Sequence, residues 1–486
     1  MKRNRVKILL ELRPAFDGHA GIPQETRLLF RGLAQIGELQ VDGMLQSSGL
    51  LLAKGLPAAD GGRRWPEHKR INRLSRVVIS AQPGRGPRRL EFLIGSLKLL
   101  STLVGGRQSL TRFDASHHRD FIWRALFGKT LPVQDFDTVT RAAYRVLQLP
   151  WGGMHRGALF FRRCVGKAIY PRLDSADYDV LIAETPFPGR VSARTTLVVR
   201  YHDAIPILMP HSISDREHHQ ASHYEALRRN VEDGAWFACV SEATRRDLLS
   251  IFPQVEARAV TLYNMVSHHY YPGSEPADRI PDILVTRRNP AVQPAGPGDG
   301  PTKHAPYLLM VSTIEPRKNH LALLSAWERL RNAGHAGLQL VFVGMLGWHH
   351  EPIVSKFQPW LGQGLHVLED VPADELRLLY RHAAVTVCPS FGEGFDFSGV
   401  EAMRCGGVVA ASDIPVHRDV FDDAAAYFTP YAPEQMADTL KQLLSPGAET
   451  RRRELVERGG EVSARYLPEV LLPRWKAFLD QLVVQS

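Results

Sequence analysis

The chain has 486 residues, more than one hydrophobic core usually supports, so two domains with a ligand cleft between them are expected. Hydrophobic residues make up 44% and charged residues 23%, which excludes extended disorder. The net charge of +9 points to an anionic partner: a nucleotide, a nucleic acid or an acidic membrane surface. Cys164, Cys239, Cys388 and Cys405 lie far apart without a C-x-x-C spacing and read as reduced, buried thiols of a cytoplasmic protein. The basic start is followed by an apolar run too short for a leader and stopped by Glu11, so residues 6–12 read as a first strand.

Next comes a loop containing Gly18 and Gly21, then a helical pattern with Leu28, Leu29, Leu33 and Ile36 on one side. Strand, glycine loop and helix together let backbone N–H groups approach an anion at a helix start; alternatively the glycines serve only the turn. Residues 60–170 are rich in insertions and basic: between Arg63 and Arg107 there are eleven Lys or Arg against two Glu. Within them Leu93, Leu97, Leu100 and Val104 recur at helical spacing, flanked by Arg88, Arg89, Lys98 and Arg107. Two readings stand: peripheral docking on an anionic membrane, or a core helix with a solvated basic rim. The segment is too short and too interrupted to span a bilayer.

From Tyr178 an α/β rhythm returns, with strands expected at residues 180–183, 196–201, 236–240 and 260–263, each followed by polar residues such as His202-Asp203 and Ser241-Glu242. Ser241 is a good N-cap for the helix through Leu249. A Pro- and Gly-rich stretch then marks a boundary, and a second series of strands follows at 307–311, 339–343 and 365–368. The expected layout is a first domain over 1–280, a linker or loop over 281–305, a second domain over 306–465 and a C-terminal segment, 466–486, whose helix packs back on the first domain.

The segment 383–411 reads as strand, glycine-broken loop, short helix and strand, with Glu393 and Glu401 in its middle. Ser398-Gly399-Val400-Glu401 fits a capping box, so Glu401 could be satisfied by the helix start. Glu393 lies between Gly392 and Gly394, where small neighbours let the backbone come close to a ligand. After the strand at 307–311 comes Glu315-Pro316-Arg317-Lys318-Asn319, then a helix with Leu321, Leu324, Trp327 and Leu330 on one face. Two adjacent cations at a strand end suit a diphosphate whose negative charge grows as it leaves.

Together Glu393 and Glu401 form an E-x7-E pattern. With Glu315-Pro316-Arg317-Lys318-Asn319, His202-Asp203 and Val240-Ser241-Glu242, the chain resembles retaining glycosyltransferases of the GT-B fold, family GT4, also called glycosyltransferase group 1. The resemblance covers residues 18–45, 181–272 and 306–444. It implies an α/β protein of two Rossmann-like, doubly wound domains facing each other across a cleft. It further implies that Arg317 and Lys318 bind the donor diphosphate, Glu401 the ribose and Glu393 the transferred sugar, with Gly394, Phe395 and Asp396 beside it. Gly21 would face the donor, His202 would lie near sugar and acceptor, and the base would rest against the turn ending at Val371.

The implied activity is metal-independent transfer of a hexose, mannose as first choice, from GDP-mannose or a UDP-sugar to a saccharide or lipid-linked glycan in polysaccharide synthesis. It would take place in the cytoplasm, at the inner face of the plasma membrane, with no cofactor and no nucleic acid. The alternative is a GT-B-shaped scaffold without turnover. One departure stands out: where the family usually has glycine after E-G-F, this chain has Asp396, which either tunes sugar choice or hydrogen-bonds its loop. The pairs Asp135/Asp137 and Asp177/Asp179 have a metal-binding D-x-D form but follow no central strand, and the adjacent histidines complete no zinc set. A nicotinamide enzyme is disfavoured, because no G-x-G-x-x-G follows either first strand.

Overall fold

Val180–Ala183 and Val385–Cys388 are buried at every position, the pattern of parallel strands covered by helices on both faces. Such strands build two sheets in the computed structural model, which describes residues 5–19, 21–57, 65–82, 89–293 and 305–485. The first part of the chain supplies β1 (Val6–Glu11), β2 (Leu39–Leu45), β3 (Arg107–Ser109), β4 (Thr111–Phe113) and β5 (Ala143–Val146). It continues with β6 (Arg172–Asp174), β7 (Val180–Ala183), β8 (Thr196–Tyr201), β9 (Trp236–Cys239) and β10 (Ala259–Thr261). Their sheet runs β10-β9-β8-β7-β1-β2-β5-β4, parallel except for β4 against β5, while β3 and β6 pair separately.

The second part supplies β11 (Tyr307–Val311), β12 (Gln339–Val343), β13 (Leu365–Leu368), β14 (Val385–Cys388), β15 (Val409–Ser412) and β16 (Ala425–Phe428). They form an all-parallel sheet ordered β13-β12-β11-β14-β15-β16. Strand order reverses between β1 and β7 in the first sheet and between β11 and β14 in the second. Open α/β sheets bind ligands at the carboxyl ends of strands flanking such a reversal. The two carboxyl-end crevices face each other.

Several sequence expectations change here. Within 281–305, Ile280–Thr286 is a helix, and the residues after it dock on β13: Asn289 N–H donates to the Val367 carbonyl (2.8 Å) and Val292 is buried in the second core. Residues 294–304 lie outside the described part. The helix Pro468–Gln485 returns to the first sheet, with Trp475 fully buried 5.2 Å from the Arg200 guanidinium and Phe478 against Trp236.

The helix for which two readings stood, membrane docking or a core helix with a basic rim, runs over Arg89–Leu100 and leaves Leu97 58% and Leu100 49% exposed, against the core reading. It leans on the helix Trp151–Val165 through Leu99, which lies against Gly157, and a 3-10 turn at Ser101–Val104 breaks the period. The side chains of Leu93 and Val104, like residues 83–88, are outside the described part. In the helix His320–Asn332 the inward face takes Leu323 with Leu324, Trp327 and Leu330, whereas Leu321 is exposed. Cys164 is exposed at the end of its helix; the other three cysteines are buried.

Candidate active site

At the second reversal, β11 is followed by the turn carrying Arg317 and Lys318, and β14 by the loop carrying Glu393. Adjacent parallel strands deliver these side chains to one place. Glu393 Oε2 lies 2.9 Å from Arg317 Nη1 and Oε1 2.6 Å from Lys318 Nζ. Arg317 also donates to Glu315 Oε1 (2.8 Å) and to the Gly392 carbonyl (2.5 Å). Burial pushes the Glu393 carboxyl up, but the two cations outweigh it and hold the group below its ordinary range. Glu393 is therefore an anion at any physiological pH.

The glycines beside Glu393 also serve the approach of the two domains. A Cβ on Gly394 would sit 1.9 Å from the His202 carbonyl oxygen, and one on Gly392 would sit 2.7 Å from the Met209 sulfur. The loop is bare so that the opposite domain can come close.

Glu401 differs from its capping-box expectation. The helix is Phe397–Arg404 and its N-cap is Asp396, which has φ 63° and whose Oδ1 accepts from Ser398 N–H (3.2 Å) and Oγ–H (2.6 Å). The helix starts before Ser398, so Glu401 is not at N3 and its carboxylate is released. Glu401 Oε1 accepts from Gln24 Nε2 across the cleft (2.8 Å) and Oε2 from Tyr380 Oη (3.0 Å). Burial raises its pKa to about 7.

Asp396 is occupied as well, its Oδ2 lying 3.1 Å from Nε2 of the fully buried His417. The bonds of its carboxylate run to Ser398 of its own helix and to His417 of a later one, and against burial His417, with Lys318 and Ser398, holds the carboxyl well below its usual range. Of the two roles open from sequence, the geometry fits loop bonding.

A cavity of about 610 Å³ separates the domains. Gly21, His202, Arg317, Lys318, Val371, Glu393, Gly394, Phe395, Asp396 and Glu401, all expected from the sequence, line it together. Gly21 has φ 71° at the start of the helix Ile22–Ala34, a backbone conformation natural to glycine. Behind His202 lies a buried charge network: Arg200 pairs with Glu25 (2.9 Å), and His202 Nε2 is 3.5 Å from Glu184 Oε2. Burial, with Arg200 nearby, lowers the His202 pKa to about 4, and burial raises that of Glu184 to about 8.

Gln24, Tyr380, Glu184, His223 and Trp348 were not singled out in the sequence, and His219 only as one of the adjacent histidines. Each belongs to an ordinary-looking element, and only the pairing of distant strands reveals it. The D-x-D pairs are taken up structurally: Arg31 binds Asp135 (2.9 Å) and Lys7 N–H donates to Asp179 (2.8 Å).

Residues 299–461 match the family model of glycosyl transferases group 1. Over the whole chain the structure is similar to sucrose-phosphate synthase from Thermosynechococcus elongatus, with TM-score 0.61, 15% identity, and 99% of this chain and 100% of that one covered. It is also similar to Anabaena HepE in complex with UDP-glucose, with TM-score 0.56, 13% identity, and 98% and 100% covered. The fold is GT-B.

Among curated relatives, the serotype-specific mannosyltransferase WbdA of Escherichia coli is 33% identical over 143 residues, 29% of this chain and 17% of the relative. The O-antigen chain mannosyltransferase B of Escherichia coli is 29% identical over 207 residues, 42% of this chain and 50% of the relative. The chain thus spans half or less of the length of these two relatives. In the GT-B frame, the family match includes Arg317, Lys318, Glu393 and Glu401, while Gly21 and His202 come from the facing domain.

Proposed function

We propose that the protein is a retaining glycosyltransferase that moves a hexose, mannose as first choice, from a nucleotide diphosphate sugar to a hydroxyl of a saccharide or lipid-linked glycan. The observation that carries this reading is the convergence of Arg317, Lys318 and Glu393 at the β11/β14 reversal, facing Gly21 and His202. The cations neutralise the diphosphate as the bond from the anomeric carbon to the phosphate oxygen breaks and its electron pair moves to that oxygen. The acceptor oxygen attacks from the same face, its proton passing to the departing phosphate oxygen, so no protein base is required. Glu393 orients the sugar through its hydroxyls, and Glu401, carrying or lacking its proton near neutrality, meets the ribose. The mannosyltransferase names of the partial relatives favour GDP-mannose as the first donor to try; the complex of HepE makes UDP-glucose the second.

Work at the cytoplasmic face of a membrane fits two features. No helix among the described residues is long and apolar enough to cross a bilayer. The helix Arg89–Leu100 exposes Ile94, Leu97 and Leu100 within the basic segment, the surface that peripheral contact with anionic lipid needs.

The test is transfer to acceptor glycans by Lys318→Ala, whose fold should remain intact even where its melting temperature falls. We expect turnover to fall by roughly two orders of magnitude or more, the usual loss when a group that stabilises developing charge is removed. Unchanged transfer in a folded variant would overturn the assignment and leave the scaffold reading. Thermal shifts with GDP-mannose and UDP-sugars choose the donor, because a ligand bound only by the native state raises its stability with occupancy.

A further inference from the structure

The two ends of the cleft are built from different chemistry. Arg317 and Lys318 are the only Arg or Lys among the described residues lining it, and Glu393 engages both. Beyond His202 the first domain presents Asp203, His219, His223, Ile205 and Ile213, faced by Trp348 from the second domain.

Burial lowers the pKa of His219 and takes that of His223 down to about 3. Near neutral pH each imidazole is therefore uncharged, with one N–H to donate and one nitrogen to accept. Nε2 of His223 is buried without a hydrogen-bond partner, and the ring is fixed beside Tyr201 at 5.9 Å between centroids. Asp203 accepts the Ile205 N–H at Oδ1 (3.0 Å), which holds its carboxylate at the wall. Trp348 donates its indole N–H to the Ser212 carbonyl across the cleft (3.0 Å), so its ring is anchored with an apolar surface beside Ile213.

We infer that this wall is an acceptor subsite for the uncharged terminal sugar of a glycan. Alternating donors and acceptors on neutral imidazoles, one carboxylate and an aromatic face match a pyranose, which offers hydroxyls around its rim and C–H groups on its faces. A phosphate or a carboxylated sugar would be desolvated against Asp203, with no Lys or Arg among the described residues of this wall to pair with it. The inference rests on the transferase reading. It places the enzyme at the extension of an existing saccharide, downstream of a reaction that starts the chain on its carrier.

The experiment compares methyl α-mannobioside with its phosphorylated counterpart, binding being followed by saturation-transfer NMR with GDP present. The neutral disaccharide should bind at least tenfold more tightly. His219→Ala should weaken it at least fivefold while GDP affinity, measured by calorimetry, stays unchanged. Trp348→Leu provides a second variant, on the aromatic side of the subsite, with the same expectation. Equal or tighter binding of the phosphorylated compound, or unchanged binding in both variants, overturns the subsite. Release of GDP from GDP-mannose is measured separately. Release without any preference for the neutral sugar sinks the subsite alone, whereas preferential binding of the neutral sugar without release of nucleotide from any donor supports the subsite and sinks the transferase reading.

Discussion

Glu393 and Glu401 share one loop and helix and both line the cleft, Glu401 buried and Glu393 part-buried, yet they lie in opposite electrostatic surroundings. Around Glu393 stand two cations at 2.6 and 2.9 Å that keep it ionised. Around Glu401 stand a neutral amide and a phenol, and burial carries its pKa to about 7. Sites that need two carboxylates in different protonation states separate them by environment in this way. Glu393 thus keeps a permanent charge as the counter-ion of Arg317 and Lys318, and Glu401 shares a proton that it can donate to or accept from a hydroxyl.

The largest effect should come from breaking the Glu393 side. Glu393→Ala removes the carboxylate that bridges the part-buried Arg317 and Lys318, and losing one partner of a buried pair costs up to about 3–5 kcal/mol. Transfer should fall by at least two orders of magnitude, roughly the loss seen when a preorganised polar group is removed from an active site. Glu393→Gln keeps an acceptor and much of the shape, so its stability loss should be smaller while its loss of transfer is similar. Urea melts and initial rates on both variants check this. Equal stability of Glu393→Ala and wild type would mean that the pairing contributes nothing to the fold.

The Glu401 side predicts a pH signature of opposite sign. The native pKa is raised to about 7 from an ordinary 4.5, so across that interval the unfolded chain has released its proton while the native protein retains it. Stability must therefore fall as pH rises through the interval, and the penalty is complete above about pH 7. Glu401→Gln removes it. The variant should be more stable than wild type at pH 8, by on the order of 3 kcal/mol, and little different at pH 4.5. Thermal melts at the two pH values decide it; a gain equal at both would locate the effect in packing.

The legibility of these features follows contact distance. Glu393, Arg317 and Lys318 could be read because each sits at the end of a strong apolar run, and the parallel pairing of β11 with β14 does the rest. His202 was legible for the same reason, at the end of β8, and Gly21 from the layout of strand, glycine loop and helix. The surroundings of Glu401 were not: Gln24 is 377 positions away and looks like any polar residue in a first helical turn. Ser398 was misread as the cap because Asp396 takes a positive φ that only the folded loop imposes, secured by His417 from a later helix. Residues 60–170 were opaque because short elements there, such as β4 and β5, gain stability from the sheet edge they join more than from their own pattern.

A smaller effect tests how the two sides are held together. Asp419 of the second domain accepts the Glu242 N–H (2.7 Å), the Ala243 N–H (3.2 Å) and the Tyr263 hydroxyl (2.9 Å), acting as an anion at the start of the helix Glu242–Ile251. Carboxylates there oppose the helix dipole and satisfy otherwise orphaned amides, so Asp419→Ala should cost about 1–2 kcal/mol. Because the bond crosses the domains, it should also lower the cooperativity of unfolding, visible as a broader melting transition.

The smallest effect is the most informative about Glu401. Gln24→Ala removes one hydrogen bond, worth about 1 kcal/mol in stability. If the ribose uses Glu401 Oε1, Gln24 Nε2 now occupies the position that a ribose hydroxyl must take. Removing the amide then removes a competitor, and the donor KM should fall by up to about fivefold, the equivalent of that one bond. If Gln24 stays in place and contacts the donor itself, the KM should rise by a similar factor. A fall means that donor binding and closure across Gln24–Glu401 compete for one carboxylate oxygen; a rise means that they share it. In either case kcat should change little, because neither Gln24 nor Glu401 touches the bond that breaks.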